Sequence, residues 1–302
     1  MDTYLLPSHQ KEAQQHGNKL SPYALYHCVF SGSAPQVLLH WHEEAEFAII
    51  RKGSAVYQIG QQTYQVNQGD LLFIAPNTLH SIHPQNGIPM ISDTLVFHLD
   101  LIGYSIMDQC TISYLRPFYN GTLNLAPCME RQHPLYDALY KCVDIALECV
   151  RERPQYHELL LKEKLNRIFF LLFQHNCITE NKMPKAEALH LEKVKQALSY
   201  IQENYKETVT INQLARLCNF SEIHFMNFFK KAVGLPCMEY IIQLRLKVAA
   251  DLLTTTDLSI SEIAFNCGFN NLSNFNRKFK SFYQQTPSEY RKGIQPMPLA
   301  KM

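Results

Sequence analysis

Between Thr210 and Arg291 the chain carries one short helical pattern twice, and this duplication limits the fold more than any other feature of its 302 residues. The first copy opens on Thr210, Gln213 and Ala215, passes Asn219, Phe220 and Ser221, and closes on Phe225, Phe229, Lys230 and Lys231. The second opens on Ser259, Glu262 and Ala264, passes Gly268 and Phe269, and closes on Phe275, Phe279 and Lys280. The openings lie 49 positions apart and the closing phenylalanines 50, so the second copy holds one extra residue ahead of its last helix.

Each opening is a capping box. The hydroxyl of Thr210 or Ser259 serves the N3 amide, and the Gln213 or Glu262 side chain reaches back to the N-cap amide. Ala215 and Ala264 supply the small residue that lets two helices approach. Asn219 and Gly268 are residue types that accept the left-handed backbone of a sharp helix–helix turn. Ser221 and Asn271 are good N-caps for the helix that follows. Its buried stripe is expected on Phe225, Phe228 and Phe229 in one copy, and on Phe275, Phe279 and Phe282 in the other. An amphipathic helix over Val194–Tyr205 precedes the first copy. A helix over Met238–Leu253, with Ile241, Leu244, Val248 and Leu252 inward, joins the two and measures about 24 Å. A duplicated unit calls for a target with its own repeat, and DNA offers one in grooves roughly 34 Å apart. Charge agrees: residues 1–189 hold 14 Lys/Arg against 18 Asp/Glu, whereas residues 190–302 hold 14 against 9. The basic surplus lies with the duplicated unit, as phosphate contact requires.

These residues resemble the AraC/XylS-type transcription regulators over about Leu191–Lys292. The match rests on Ile263, Ala264, Gly268 and Phe269, then Phe275, Arg277, Phe279 and Lys280, then Thr286, Pro287, Ser288, Glu289, Tyr290 and Arg291. Tyr240, Leu244, Arg245, Leu246, Ala249, Leu252 and Leu253 of the central helix also fit. The resemblance implies that the second helix of each unit enters the major groove of double-stranded DNA. The reading residues would be Ile223, Met226 and Asn227, with Glu222 beside them, in the first unit. In the second they would be Leu272, Ser273 and Arg277, with Asn276 alongside, and the caps Ser221 and Asn271 belong to the same faces. Arg277 suits a guanine and Asn227 an adenine, while Ile223, Met226 and Leu272 suit thymine methyls. Lys230, Lys231, Lys278, Lys280 and Arg291 are read as phosphate contacts, a solvated surface charge being the alternative for each lysine. Two departures stand out: Asn227 replaces the family's usual Arg, and Gln284 replaces the Gly that usually follows the last reading helix.

From Tyr23 to about Leu101 short runs rich in β-branched and aromatic residues, such as Ala55–Ile59, Gln62–Val66 and Leu71–Ile74, alternate with Gly- and Asn-containing turns, which suggests a small barrel or sandwich. Within it His40-x-His42-x-x-x-Glu46, followed after six residues by Gly53, and Gly69-Asp70 followed by Pro76 and His80, resemble the two cupin motifs. Thr78 stands where many cupins have Gly, His80 comes one residue early, and no Asn follows. The resemblance implies a site at the barrel mouth built from His40, His42, Glu46 and His80. It is read here as an effector site for a small polar molecule, a carbohydrate being the family's frequent ligand. No cofactor is expected; a divalent metal on the same four residues is the alternative. Trp41, the only tryptophan, is left between core and pocket rim.

Beyond Asp108 the period turns helical. Leu135, Leu139, Cys142, Val143, Ala146 and Val150 form one stripe, and Leu161, Leu165, Ile168, Phe169, Leu172 and Phe173 another, with a turn at Arg151–Tyr156. The pair serves either as a dimerisation surface or as packing for the barrel. Asn176–Glu187 loses the apolar period and marks a boundary. The organisation expected is therefore a multidomain α+β chain. A sensing and dimerisation domain covers 1–180, with its barrel about 20–105 and helices about 130–175. A linker covers 181–190, an all-α domain of two helix-turn-helix units 191–292, and a tail 293–302. Nine scattered cysteines without a C-x-x-C pair read as reduced thiols, and residues 1–11 show no signal pattern, so a soluble cytoplasmic protein is expected, without a membrane partner. The expectation is a homodimeric regulator and not an enzyme. A metal-dependent cupin enzyme fused to a DNA-binding domain, or a regulator whose barrel only dimerises, are the alternatives.

Overall fold

The computed structural model describes residues 16–30, 37–84, 89–181 and 184–294. The ends of the chain, including most of the tail expected over 293–302, lie outside them. Among the described residues the chain divides into two compact units between Ala188 and Leu189. No helix among them is long and apolar enough to cross a membrane.

The first unit begins with eight strands: Tyr23–Phe30 (β1), Val37–His40 (β2), Ala45–Lys52 (β3), Ser54–Ile59 (β4), Gln62–Asn67 (β5), Leu71–Ile74 (β6), His80–Pro84 (β7) and Met90–Phe97 (β8). A short helix at Arg116–Tyr119 (α1) follows, then Leu123–Leu125 (β9), Cys128–Met129 (β10), two long helices at Tyr136–Glu152 (α2) and His157–Gln174 (α3), and Ile178–Glu180 (β11). One antiparallel sheet has the order β1-β8-β3-β6-β10 and a second the order β2-β7-β4-β5. The central strands β3 and β8 are largely buried because both of their faces are covered. Alternate side chains of a strand point to opposite faces. On one face Phe47, Phe73, Leu95 and Phe97 meet the helices; on the other Ala48, Ile50, Leu72 and Val96 meet Val37, Ala55, Tyr57, Val66 and Ile82 of the smaller sheet. The edge strand β5, by contrast, is mostly exposed and mostly polar.

The helical stripes are spent within the chain. Leu139, Val143, Ala146 and Leu147 of α2 and Leu161, Leu165, Ile168 and Leu172 of α3 are buried in the same cluster as the sheet, with Phe169 lying 5.9 Å from Phe47. The inward stripe is thus packing for the barrel. A second tie is polar: the buried carboxylate of Asp93 accepts from Arg51 Nε (2.6 Å), Arg151 Nη2 (2.9 Å) and His27 Nδ1 (2.7 Å). Arg51 also donates to Asp144 (2.6 Å) and Tyr140 (3.1 Å), so β1, β3 and β8 are joined to α2. Strand β11 returns to pair with β9, and the Asn181 amide donates to Thr122 O at 2.7 Å.

The linker expected over 181–190 differs from what the chain forms. A helix, Lys185–Asn204 (α4), already runs through its second half. Ala, Glu and Leu there are good helix formers, and no apolar stripe announces the helix because residues 186–190 are exposed.

The second unit continues α4 with Ile211–Leu217 (α5), Glu222–Val233 (α6), Cys237–Thr255 (α7), Ile260–Asn266 (α8), Leu272–Tyr283 (α9) and Pro287–Ile294 (α10). Helix α7 is about 28 Å long at helical rise. It is buried through Tyr240, Ile241, Leu244, Val248 and Leu253, with Leu253 in place of the Leu252 expected from spacing.

Candidate functional site

The barrel site is assembled by strand ends. His40 closes β2 and pairs in register with His80, which opens β7; His42 follows two residues on, and Glu46 lies on β3. Asn77, at a left-handed φ of 60°, turns the chain between β6 and β7, and its amide donates to His42 O at 2.7 Å, fixing the two motif segments together. His40, His42 and His80 are buried, and donor atoms of the three with Glu46 all lie within 4.8 Å of one another. The four residues read from the two motifs are therefore brought to one point. Trp41 is half-buried beside them.

Hydrogen bonding orients these rings. Nδ1 of His40 meets Leu38 O (3.0 Å), Nδ1 of His80 meets Thr78 O (2.8 Å), and Nδ1 of His42 meets Glu44 O (3.2 Å). A carbonyl only accepts, so each Nδ1 carries the proton and each Nε2 is left for the interior. His42 Nε2 lies 2.7 Å from Glu46 Oε1 and His80 Nε2 lies 3.4 Å from it. Burial, and then the neighbouring His80 and His42, push the His40 imidazole well below its usual range. Burial opposes ionisation of Glu46, but the charge of His80 and the hydrogen bonds of both histidines outweigh it and hold the carboxyl well below its usual range. A carboxylate facing Nε2 atoms needs a positive charge between them, supplied by protons or by a metal ion. Three imidazoles held by Nδ1–carbonyl bonds, with one carboxylate, fit a first-row divalent ion. Such an ion would be held by His40, His42, Glu46 and His80, where it would offer a Lewis-acidic point of attachment for a polar ligand.

Sequence reasoning missed His16. It is buried, its Nδ1 lies 2.6 Å from the Tyr26 hydroxyl, and its ring sits 5.2 Å from that of His42. It lies ahead of the first strand, where no periodicity or motif spacing points at it.

In the second unit the two reading helices match in burial. Residues 221–230 and 271–280 show the same order of exposed and buried positions, with Phe225 and Phe229 answering Phe275 and Phe279. Phe228 and Phe282 are only half-buried. Both capping boxes form: Gln213 N donates to Thr210 Oγ1 (3.3 Å) and Thr210 N to Gln213 Oε1 (2.8 Å), Glu262 N to Ser259 Oγ (3.2 Å) and Ser259 N to Glu262 Oε2 (2.8 Å). Ser221 and Asn271 accept from the amides three residues on. The extra residue of the second copy is Asn270, between Phe269 and the cap Asn271.

The residues expected to read DNA are all exposed. Ile223 (71%), Met226 (44%) and Leu272 (37%) are large apolar side chains left in solvent, as a groove-facing surface requires. Glu222, Asn227, Lys230, Ser273, Asn276, Arg277 and Lys280 share those faces. Glu222 accepts from Asn212 of α5 at 2.7 Å, and Arg277 Nη2 donates to Asn274 Oδ1 at 3.1 Å, one turn back. Arg291 corrects the phosphate reading: its Nε donates to Leu253 O (3.2 Å) and its Nη2 to Leu258 O (2.6 Å). It closes the C-terminal end of α7, where carbonyls lack helical partners. A further contact that spacing did not suggest joins α4 to this face. The Lys193 ammonium lies 4.0 Å from the Phe220 ring centroid, and Phe220 stacks on His224 of α6 at 4.2 Å.

Comparison with known proteins sets these two sites in one frame. Residues 25–158 match the AraC-like ligand binding domain, and residues 214–293 match a helix-turn-helix domain. The chain is an AraC-type transcriptional regulator. An uncharacterized HTH-type transcriptional regulator of Bacillus subtilis, YdeC, is 25% identical over 97% of this chain and 99% of its own. The melibiose operon regulatory protein of Escherichia coli is 25% identical over 96% of this chain and 95% of its own. Among solved structures, fatty acid-bound ToxT from Vibrio cholerae shares the fold of this AraC-type chain. It has a TM-score of 0.50 and 16% identity over 95% of this chain and 100% of the other.

Proposed function

We propose that this AraC-type regulator is a cytoplasmic homodimer without enzymatic activity. A small polar effector, a carbohydrate, would bind at His40, His42, Glu46 and His80, and α6 and α9 would read adjacent major grooves. The observation that carries the sensor reading is the convergence of four polar side chains inside a largely apolar barrel interior. Such a site holds a ligand by orientation-specific hydrogen bonds, which suits a polyol better than an apolar molecule. The similarity to the melibiose operon regulatory protein along almost the whole chain supports a sugar. Effector binding acts by favouring one arrangement of the DNA-binding units over another.

The test is a thermal melt of the full chain against mono-, di- and trisaccharides. A ligand at 100 times its Kd stabilises by about 2.7 kcal/mol, enough to move the transition measurably. The shift is expected in the wild type and absent in Glu46→Gln. A panel in which no saccharide moves the melt, or in which Glu46→Gln responds equally, removes the carbohydrate assignment.

A further inference from the structure

The segment before β1 is built to deliver one side chain. Gly17 has φ +84°, and a Cβ there would collide with the backbone of Ser21 and Tyr23, so the chain folds tightly back on itself at this point. The Asn18 side-chain oxygen accepts from Leu20 N and Ser21 N, both at 2.9 Å, which locks the turn. Its product is His16, carried into the barrel interior at 3% exposure and oriented by the Tyr26 hydroxyl. The His16–His42 ring separation of 5.2 Å matches the 5.1 Å between His42 and His80.

Donor atoms of His16, His42 and Glu44 lie within 4.8 Å of one another, as do those of His40, His42, Glu46 and His80. The two sets share His42 alone. Its Nε2 faces Glu46 at 2.7 Å, and its Nδ1 lies 3.5 Å from the Glu44 carboxylate. We propose that His16, His42 and Glu44 form a second ligand set for a first-row divalent metal ion, contiguous with the His40–Glu46–His80 set and exclusive with it through His42. This rests on reading the His/Glu cluster as the sensor site. A neutral imidazole has one lone pair. An ion on Nε2 leaves Nδ1–H donating to Glu44 O, and an ion on the Glu44 flank leaves Nε2–H donating to Glu46. In either state both ring nitrogens of His42 are engaged, the second giving up the bond to Glu44 O for the one to Glu46, so His42 selects between them by tautomer. Only the second state ties the turn at Gly17–Ser21 to the metal. Imidazole with carboxylate suits Mn, Fe, Co, Ni or Zn rather than Ca or Mg.

Co(II) tests the proposal on the full chain after chelator treatment, because its visible bands report the ligand set. Wild type is expected to bind one Co(II) per chain. His80→Ala is expected to retain Co(II) with an altered spectrum, and His16→Ala added to it to weaken binding at least 10-fold, since outer partners of a metal site alone are worth about 10–100-fold. Hydrogen exchange at residues 17–23 is expected to slow on Co(II) addition in wild type and in His80→Ala, and not in His16→Ala. Thermal melts verify folding, with His80→Gln as the substitute if His80→Ala unfolds. Absence of Co(II) binding in wild type overturns the proposal. So does binding by the position-80 variant that is indifferent to His16, or an exchange pattern unchanged by Co(II). The saccharide melt, run without metal, separates the two readings: a sugar response with no Co(II) effect keeps the sensor and removes the second ligand set.

Discussion

Gln284 and Gly268 occupy turns of the same hand under different pressures. Gln284 ends α9 at φ 58°, the left-handed conformation that Gly234 takes at φ 82° after α6. A non-glycine residue there costs about 1–2 kcal/mol, only partly recovered by the bond from Gln284 Nε2 to Ser281 O (2.9 Å). Gln284→Gly is therefore expected to stabilise the second unit by about 1 kcal/mol in denaturant melts. Gly268 is more constrained than its counterpart Asn219, because a Cβ would fall 2.6 Å from Lys206 O and 2.9 Å from Tyr205 O. Arg245 holds that same segment through bonds to Tyr205 O (2.7 Å) and Glu207 O (2.8 Å), so the backbone has little room to retreat. Gly268→Ala should cost about 3 kcal/mol, the upper range for a strained left-handed residue. For DNA reading, Arg277→Ala should lose about 1–3 kcal/mol on the cognate site and relax preference at one position, measured by titration against single-base variants. An equal loss on every sequence would make Arg277 a phosphate contact. The caps were legible because their chemistry lies within four residues in sequence, whereas the reading positions rest on the resemblance to the AraC/XylS-type regulators. Arg291 and His16 were not, since their partners are set by where the chain folds back.

At the level of elements, the Asp93 network is the tie most open to measurement. Burial raises the Asp93 pKa, yet the hydrogen bonds from His27 and Arg51 and the charge of Arg151 outweigh it and lower the carboxyl below its ordinary value. A lowered carboxylate contributes its stability fully above the unfolded value near 4, and loses it as pH falls through the folded value. Acid titration of the melting temperature should thus show a drop below about pH 4 that is absent in Asp93→Asn. That variant should also be about 3 kcal/mol less stable at neutral pH, because two arginines lose their buried partner. None of this was legible: Asp93 sits 42 positions from Arg51 and 58 from Arg151, and nothing local distinguishes it from other aspartates on a strand. The helical stripes were legible as stripes, while their destination, sheet or second subunit, depended on which surface lay opposite. Helix α3 keeps a further apolar face, with Leu159 69% and Phe170 52% exposed, and this is where the proposed homodimer would form. Phe170→Glu should shift sedimentation toward monomer while circular dichroism shows the chain still folded, with a melting temperature that no longer rises with protein concentration.

On the scale of the whole molecule, two separable units predict two separable activities. A fragment starting at Leu189 should bind DNA, with log K falling against log salt by about 0.9 for each phosphate contacted. A flat salt response would remove the electrostatic part of the interface. The division into two units was legible because the apolar period lapses over Asn176–Glu187 and the balance of charge changes sign just beyond it. The linker expected over 181–190 brackets the division between Ala188 and Leu189, but its second half is helical, because a solvent-exposed helix start leaves no period to read. What joins the halves has its own consequence. Strand β11 clasps the exit of the first unit at Glu180, and α4 starts at Lys185, so only four residues separate regular structure on either side. In the proposed dimer, a connection this short would set the effective concentration of the second DNA-binding unit once the first has bound, and short linkers place that value in the millimolar range. Inserting flexible residues after Asn181 dilutes it by roughly the −3/2 power of tether length. Operator occupancy would then depend on the reach of the linker as much as on the chemistry of either reading helix.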